Sequence, residues 1–202
     1  PPAFPPGHYH LLGAATLKYW AMGYWTYMTL QEYNLLVSYE LGDLGQARED
    51  VLKILRALGD QNPTVRRTAA RGLLGVRTAL DPRGVTMELR KRYSKDPWSF
   101  GTTIKWIPLD LWVPSEMEAM REGVMKLRDR IGRRERWAMV VEKRRYGRHN
   151  KMEIINELAG LIEGKVDLKA PEKVLRVELV GGYAGLAVLE PREVFSTRKP
   201  HA

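Results

Sequence analysis

The chain has 202 residues, 33 Lys and Arg against 24 Asp and Glu, a net charge of +9 and 44% hydrophobic residues. That balance excludes collagen-like, low-complexity and disordered chains and predicts one large or two small folded domains. The absence of cysteine excludes disulfides, thiolate metal sites, Cys nucleophiles and iron–sulfur clusters and points to a reduced, cytoplasmic setting, while the positive charge favours a polyanionic partner or an anionic membrane surface.

Residues 1–30 form a distinct leader. Pro1, Pro2, Pro5 and Pro6 open it, and residues 11–30 are apolar with Lys18 as their sole charge. The stretch nearly reaches the roughly 20 residues of a bilayer span, but Lys18 and Gly23 interrupt it and it lacks a basic flank and a small-residue cleavage site. The expectation is no membrane span. The leader reads either as upstream sequence that is not part of the natural chain or as an extra helix.

From Asn34 the signals become regular. Residues 35–39 are a short apolar run suited to a buried strand, and Asp43 with Gln46 three residues on predicts a capped helix start. Ala47, Val51, Ile54, Leu55 and Leu58 share one face of that helix, and Gly59 stops it. Residues 73–78 read as a second strand. Asp81 and Pro82 are an N-cap with proline at the first helical position, and Val85, Leu89 and Tyr93 share the face that follows. Residues 103–112 read as a third strand, with Pro108 assigning it to an edge or a bulge. Ser115 with Glu118 predicts another capping box, before an apolar helical stripe of Met117, Met120, Val124, Leu127 and Ile131. Gly132 is the clearest internal break. Beyond it, residues 136–143 alternate Trp137, Met139 and Val141 inward. Asn150 with Glu153 caps a helix that buries Ile154, Ile155, Leu158, Leu161 and Ile162 and ends at Gly164. Gly181 and Gly182 then form a hairpin-like turn between strands at 174–180 and 183–189.

The most informative feature is a charge run. Arg133, Arg134, Arg136, Lys143, Arg144, Arg145, Arg148 and Lys151 stand against only Glu135 and Glu142, so most of the net charge lies in one short stretch. Residues 143–150 join a strand end to a helix N-terminus. There the backbone N–H groups and the positive helix end would face the same anion as the arginine forks, a combination suited to phosphate. The bland alternative is a solvated basic loop without a ligand. His149 fits a surface or phosphate-contacting residue better than a proton shuttle. Tyr146 is positioned to stack on a base or is simply an exposed turn tyrosine, and Trp137 reads as core.

Motifs for catalysis are missing. Residues 160–165 have the wrong glycine spacing for a P-loop, and Val166 stands where Ser or Thr should bind Mg²⁺. The glycines at 181, 182 and 185 lack dinucleotide-fingerprint spacing. His8 and His10 are spaced to share a metal but lie in the leader without a carboxylate near them. No metal, no cofactor and no catalytic residue is assigned.

From Arg136 onward the sequence resembles a THUMP domain. The likeness rests on the basic strand end Val140-Val141-Glu142-Lys143-Arg144, the capped helix from Asn150, the segment from Val166 to Lys173 with Val-Asp-Leu-x-x-Pro as its most specific piece, and Val177, Glu178 and Gly185 in the closing strands. The tail from Glu190 to Ser196 resembles the closing segment of stand-alone THUMP proteins, the group that includes the adaptor for tRNA cytidine acetylation. The resemblance implies an α/β (α+β) fold. A ferredoxin-like unit at residues 31–112 would precede a THUMP domain at 113–202 with a small mixed sheet and flanking helices. It also implies binding of tRNA, often at the acceptor end, in service of base modification. Because the sequence carries no recognisable catalytic domain, the implied role is a non-catalytic adaptor for a separate tRNA-modifying enzyme, such as an RNA cytidine acetyltransferase. The expected RNA-binding residues are Arg133, Arg134, Arg136, Lys143, Arg144, Arg145, Tyr146, Arg148, His149, Asn150 and Lys151. The alternatives are a tRNA-modifying enzyme with an unrecognised site and a basic membrane-associated protein.

Overall fold

The computed structural model describes residues 33–198. The leader, with its extra-helix and membrane readings and His8 and His10, lies outside the described residues. Among the described residues no helix is long and apolar enough to cross a membrane.

Two five-stranded sheets organise the fold. The first is built from β1 (Leu35–Tyr39), α1 (Leu44–Ala57), β2 (Thr64–Arg67), β3 (Leu73–Arg77), α2 (Pro82–Tyr93) and β4 (Thr103–Pro108). Strand order β4-β1-β3-β2, antiparallel throughout, makes this βαββαβ run a ferredoxin-like unit. Local chemistry fixes both helices. The Asp43 carboxylate accepts from the Gln46 N–H at 3.0 Å, Asp81 accepts from the N–H groups of Arg83 and Gly84 with Pro82 next to it, and each cap contributes about 1 kcal/mol. Gly59 turns the chain out of α1 at φ 107°, a conformation that costs a glycine little. Leu35 and Val37 of β1 then pack with Val51, Leu55, Val85 and Leu89 of the two helices.

Two departures from the sequence reading lie in and beside this unit. β2 was not foreseen: of its four residues only Val65 is buried, so it has no alternation to detect. The strand expected over 103–112 is two strands in two sheets, β4 and then β5 (Leu111–Pro114). Pro108 has no N–H to extend the ladder. Directly after it, Leu109 N donates to Asn34 O at 3.0 Å in the first unit and Asp110 N donates to Leu186 O at 2.9 Å in the second.

The second sheet adds α3 (Met117–Leu127), β6 (Arg136–Arg144), α4 (Lys151–Ala159), β7 (Lys165–Val166), β8 (Lys173–Val180) and β9 (Tyr183–Leu189). Its order is β5-β9-β8-β6-β7; β6 runs parallel to β7 and β8 and the remaining pairs are antiparallel. Such a sheet is mixed. Helices α3 and α4 cover one face, with Met120, Val124, Ile154 and Leu158 buried against Trp137 and Val177. The capping box expected from Ser115 is absent: Glu116 takes the cap position without a side-chain bond, because Ser115 is buried and its hydroxyl donates to Gly181 O at 3.3 Å. Helix α4 ends at Ala159, before Gly164, whose φ of 123° leads into β7.

The uncovered faces of the two sheets meet. Leu36, Leu73 and Ile107 pack with Val180, Ala187 and Leu189, and Trp112 Nε1 donates to Tyr33 O at 2.8 Å. Buried Asp110 acts as a latch between the units, accepting from Arg83 and Arg130 at 2.7 Å each and from Val188 N at 3.0 Å. Finally β10 (Phe195–Ser196) returns to the first sheet beside β4. The α/β fold expected from the sequence is the fold found.

Candidate nucleic-acid interface

Strand β6 is the spine of the candidate site, and it separates the charge run into two groups. Arg133, Arg134 and Arg136 stand at its start and Lys143 to Lys151 at its end, about 26 Å apart at roughly 3.3 Å per residue.

At the start, most of the charge is matched. Arg133 pairs with Glu163 at 2.6 Å, and Arg136 reaches Glu172 at 3.4 Å and Asp167 at 3.5 Å. Only Arg134 is exposed with no partner among the described residues. Asp167 belongs to the Val-Asp-Leu-x-x-Pro segment, and its role is architectural. Its carboxylate accepts from the N–H groups of Lys169 and Ala170 at 2.9 and 3.0 Å, and its own N–H donates to Trp137 O at 2.9 Å. The backbone donors hold the Asp167 carboxyl below the usual range.

At the far end the chain leaves β6 through Arg145, whose φ of 54° is the single positive value among the described non-glycine residues. That conformation costs roughly 1–2 kcal/mol for a residue with a Cβ. The loop beyond it is braced from within. The Lys143 ammonium donates to His149 O and lies 5.6 Å from the centre of the Tyr146 ring. Tyr146 is half-buried, its hydroxyl donates to Ser115 O at 3.2 Å, and burial raises its pKa. Arg148 pairs with Glu116 at 2.6 Å, and this bond holds the Glu116 carboxyl below its usual range. Asn150 and Glu153 form a full capping box at the start of α4, and His149 Nδ1 lies 3.5 Å from Glu153. The cap takes the Glu153 N–H and leaves those of Lys151 and Met152 without a partner among the described residues.

Arg144 has a different job. Its guanidinium and that of Arg176 both bond Glu178, which is fully buried. Lys105 of the first unit lies close enough to feel this group, and its pKa is lowered by burial first and by the Arg176 charge second. Arg144 is therefore a strut between neighbouring strands of the second sheet. Arg145 and Lys151 are the loop cations that are exposed and have no partner among the described residues.

The chemistry of the arrangement is suited to an anion. It offers guanidinium and ammonium groups beside unpaired helix N–H groups. Among the described residues no three His, Asp or Glu side chains are grouped to hold a metal. The sequence reading also passed over four arginines on β2, β3 and their turn: Arg66, Arg67, Arg71 and Arg77. The signal was the complete absence of Asp and Glu from residues 61–80.

No family model matches the sequence, and no curated protein matches it significantly. Solved structures do resemble the fold. PH1313 from Pyrococcus horikoshii Ot3 aligns with a TM-score of 0.58 at 14% identity, covering 77% of this chain and 54% of that one. TrmN from Thermus thermophilus aligns with a TM-score of 0.52 at 15% identity, covering 78% and 46%. The chain thus spans about half the length of each of these two proteins. The THUMP domain of THUMP domain-containing protein 1 aligns at 27% identity over 37% of this chain and 84% of its own, with a TM-score of 0.33.

Proposed function

We propose that the chain is a tRNA-binding protein of base modification whose second unit is a THUMP domain and whose loop at residues 143–151 contacts the acceptor end. The observation that carries this reading is Arg145. An arginine is kept in a left-handed backbone conformation, exposed, without an acidic partner among the described residues, and strain of that kind is characteristic of functional positions. Beside it stand Lys151 and the open N–H groups of α4. The THUMP-like motifs of the sequence and the ferredoxin-like unit followed by a mixed sheet support the same reading.

Within it the chain acts as an adaptor: it holds tRNA by shape while a separate catalytic polypeptide, an RNA cytidine acetyltransferase on the resemblance of the tail, modifies it. Phosphate contacts give register without sequence information, and the bases of A-form RNA are hidden in a deep groove. Folded tRNA with an intact single-stranded 3′ end is therefore the preferred ligand over the trimmed tRNA and over duplex DNA.

A salt titration of tRNA binding tests the core of this reading. The two free loop cations alone give a slope of log K against log salt of about −1.5 or steeper, at roughly 0.7–0.9 per phosphate. A flat line, or equal competition by trimmed tRNA and DNA, would overturn it. The adaptor role is tested by adding the candidate acetyltransferase: tRNA acetylation that does not depend on this chain would refute it.

A further inference from the structure

The free charge of the molecule does not stop at the second unit. Residues 61–80 hold Arg66, Arg67, Arg71 and Arg77 and no acidic residue. All four arginines are exposed and have no partner among the described residues. Other arginines of the same unit are committed. Arg83 bonds Asp110, Arg90 donates to the carbonyls of Arg192 and Val194, and Arg92 pairs with Glu88.

Their position gives these charges a direction. β2 is an edge strand, and the turn that follows it abuts the second unit: a Cβ on Gly181 would lie 3.9 Å from that of Ala69. On its other side Gly181 N donates to Arg144 O at 3.0 Å, and the next residue is Arg145. Gly181 thus stands between the Arg145 turn and Ala69 of the turn that carries Arg71, and small residues there allow a ligand backbone to pass closely. Arg66 and Arg67 also border a groove of about 600 Å³ between β2 and the start of α1, lined further by Leu44, Arg48, Pro63 and Val65. Because Asp110 and Trp112 fix one unit against the other, the two sets of cations keep a constant spacing. Rigid spacing lets contacts on both sides act on one ligand without the entropy of aligning two mobile domains.

We propose that Arg66, Arg67 and Arg71 form a second phosphate-binding site, so that one RNA strand runs across the Gly181 and Gly182 turn from the loop of the second unit onto the edge of the first. This rests on the tRNA-binding reading above and extends its footprint. Guanidinium groups suit such a site because their planar forks match phosphate oxygens.

The test is a tRNA titration by fluorescence anisotropy at several salt concentrations. It compares the wild type, Arg66→Ala/Arg67→Ala/Arg71→Ala, Arg145→Gly/Lys151→Ala, and Lys53→Ala/Arg56→Ala as an exposed control on α1. The triple variant is expected to weaken binding about tenfold or more near physiological salt and to make the salt slope shallower by about 2, since each lost phosphate contact removes roughly 0.7–0.9. The control is expected to stay within about twofold, and the melting curves of the triple variant and the control should coincide with that of the wild type because exposed cations contribute little to stability. Photocross-linking of bound tRNA to the peptide containing Arg66 to Arg71 gives a readout independent of affinity. A triple variant that binds like the wild type with an unchanged slope, while the loop variant loses affinity, would overturn the second site alone and leave those arginines to a different partner. A wild type that binds no tRNA would overturn both readings.

Discussion

The two ends of β6 carry similar sequences and opposite electrostatics. Arg133 and Arg136 look as basic as Arg145 and Lys151, yet the first pair is matched by Glu163, Asp167 and Glu172, which arrive from later in the chain. At the other end two cations stay unmatched, and a third of the apparent patch, Arg144, is spent on a buried carboxylate. Charge counted along a sequence is not charge available in space. What decides is which acids the topology delivers, and β7 and the turn after it deliver theirs to only one end.

Four measurements bear on this contrast. The largest effect belongs to Arg144. Replacing it with Ala leaves Glu178 with Arg176 as its remaining ion-pair partner, so unfolding in urea should show a loss of about 2 kcal/mol, the scale of one hydrogen bond to a charged group. Arg134→Ala should cost under about 0.5 kcal/mol, as for an ordinary surface site; equal losses would erase the distinction between strut and free cation.

Next comes binding. Arg145→Gly/Lys151→Ala should raise the Kd for tRNA about tenfold, as two lost phosphate contacts predict, whereas Arg133→Ala/Arg136→Ala should change it less than about twofold because those groups are already neutralised. The Arg145→Gly substitution alone should leave the melting temperature unchanged or raise it, since glycine relieves the left-handed conformation. Weaker binding together with undiminished stability separates function from folding; a drop in both would undo the argument made for Arg145.

A smaller effect is expected from Asn150→Ala. Loss of the cap should cost about 1 kcal/mol and lower the melting temperature by roughly 2–4 °C, with tRNA binding reduced only as far as α4 frays.

The smallest is a pH effect at the matched end. The Asp167 carboxyl is held below its ordinary value of 3.8 by the Lys169 and Ala170 N–H groups. Its folded pKa is depressed, so its stabilising contribution is present above 3.8 and is lost as pH falls through the lower folded value. Asp167→Asn should flatten the stability profile in that acid range and leave it nearly unchanged at pH 7, where the amide oxygen still accepts. An unaltered profile would mean that the turn is held by other contacts.

The parts of the fold legible in the sequence are those set by neighbours along the chain. Asp43, Asp81 and Asn150 announce helix starts, and Gly181 announces the hairpin, because a cap or a turn is settled within three or four residues. The missed elements are set by distant partners. Thr64 to Arg67 become a strand only because β3 lies beside them, and the largely apolar stretch from Thr103 to Trp112, broken by Lys105 and Asp110, conceals that Leu109 and Asp110 bond to different sheets. Ser115 and Glu118 have capping-box spacing, but burial against Gly181 outweighs a local signal worth about 1 kcal/mol. The candidate site divides the same way. Its capped helix and arginine loop were visible. The neutralising acids, the Glu178 strut and the nearness of the second arginine group to the loop required knowing which segments meet.

The return of β10 to the first sheet has a consequence for synthesis on the ribosome. Phe195 is fully buried, with its ring centre 5.1 Å from Phe100 and 5.6 Å from Tyr93. The strand that seals the first unit is thus made about 90 residues after β4, which at 5–20 residues per second is roughly 5–20 s later. During that interval the outer edge of β4 and the aromatic cluster beneath it stand open to pairing with another chain, the recognised hazard of bare sheet edges. The second unit is translated entirely within this window, so the last strand closes both halves together, and the nascent first unit matures only when the second is in place.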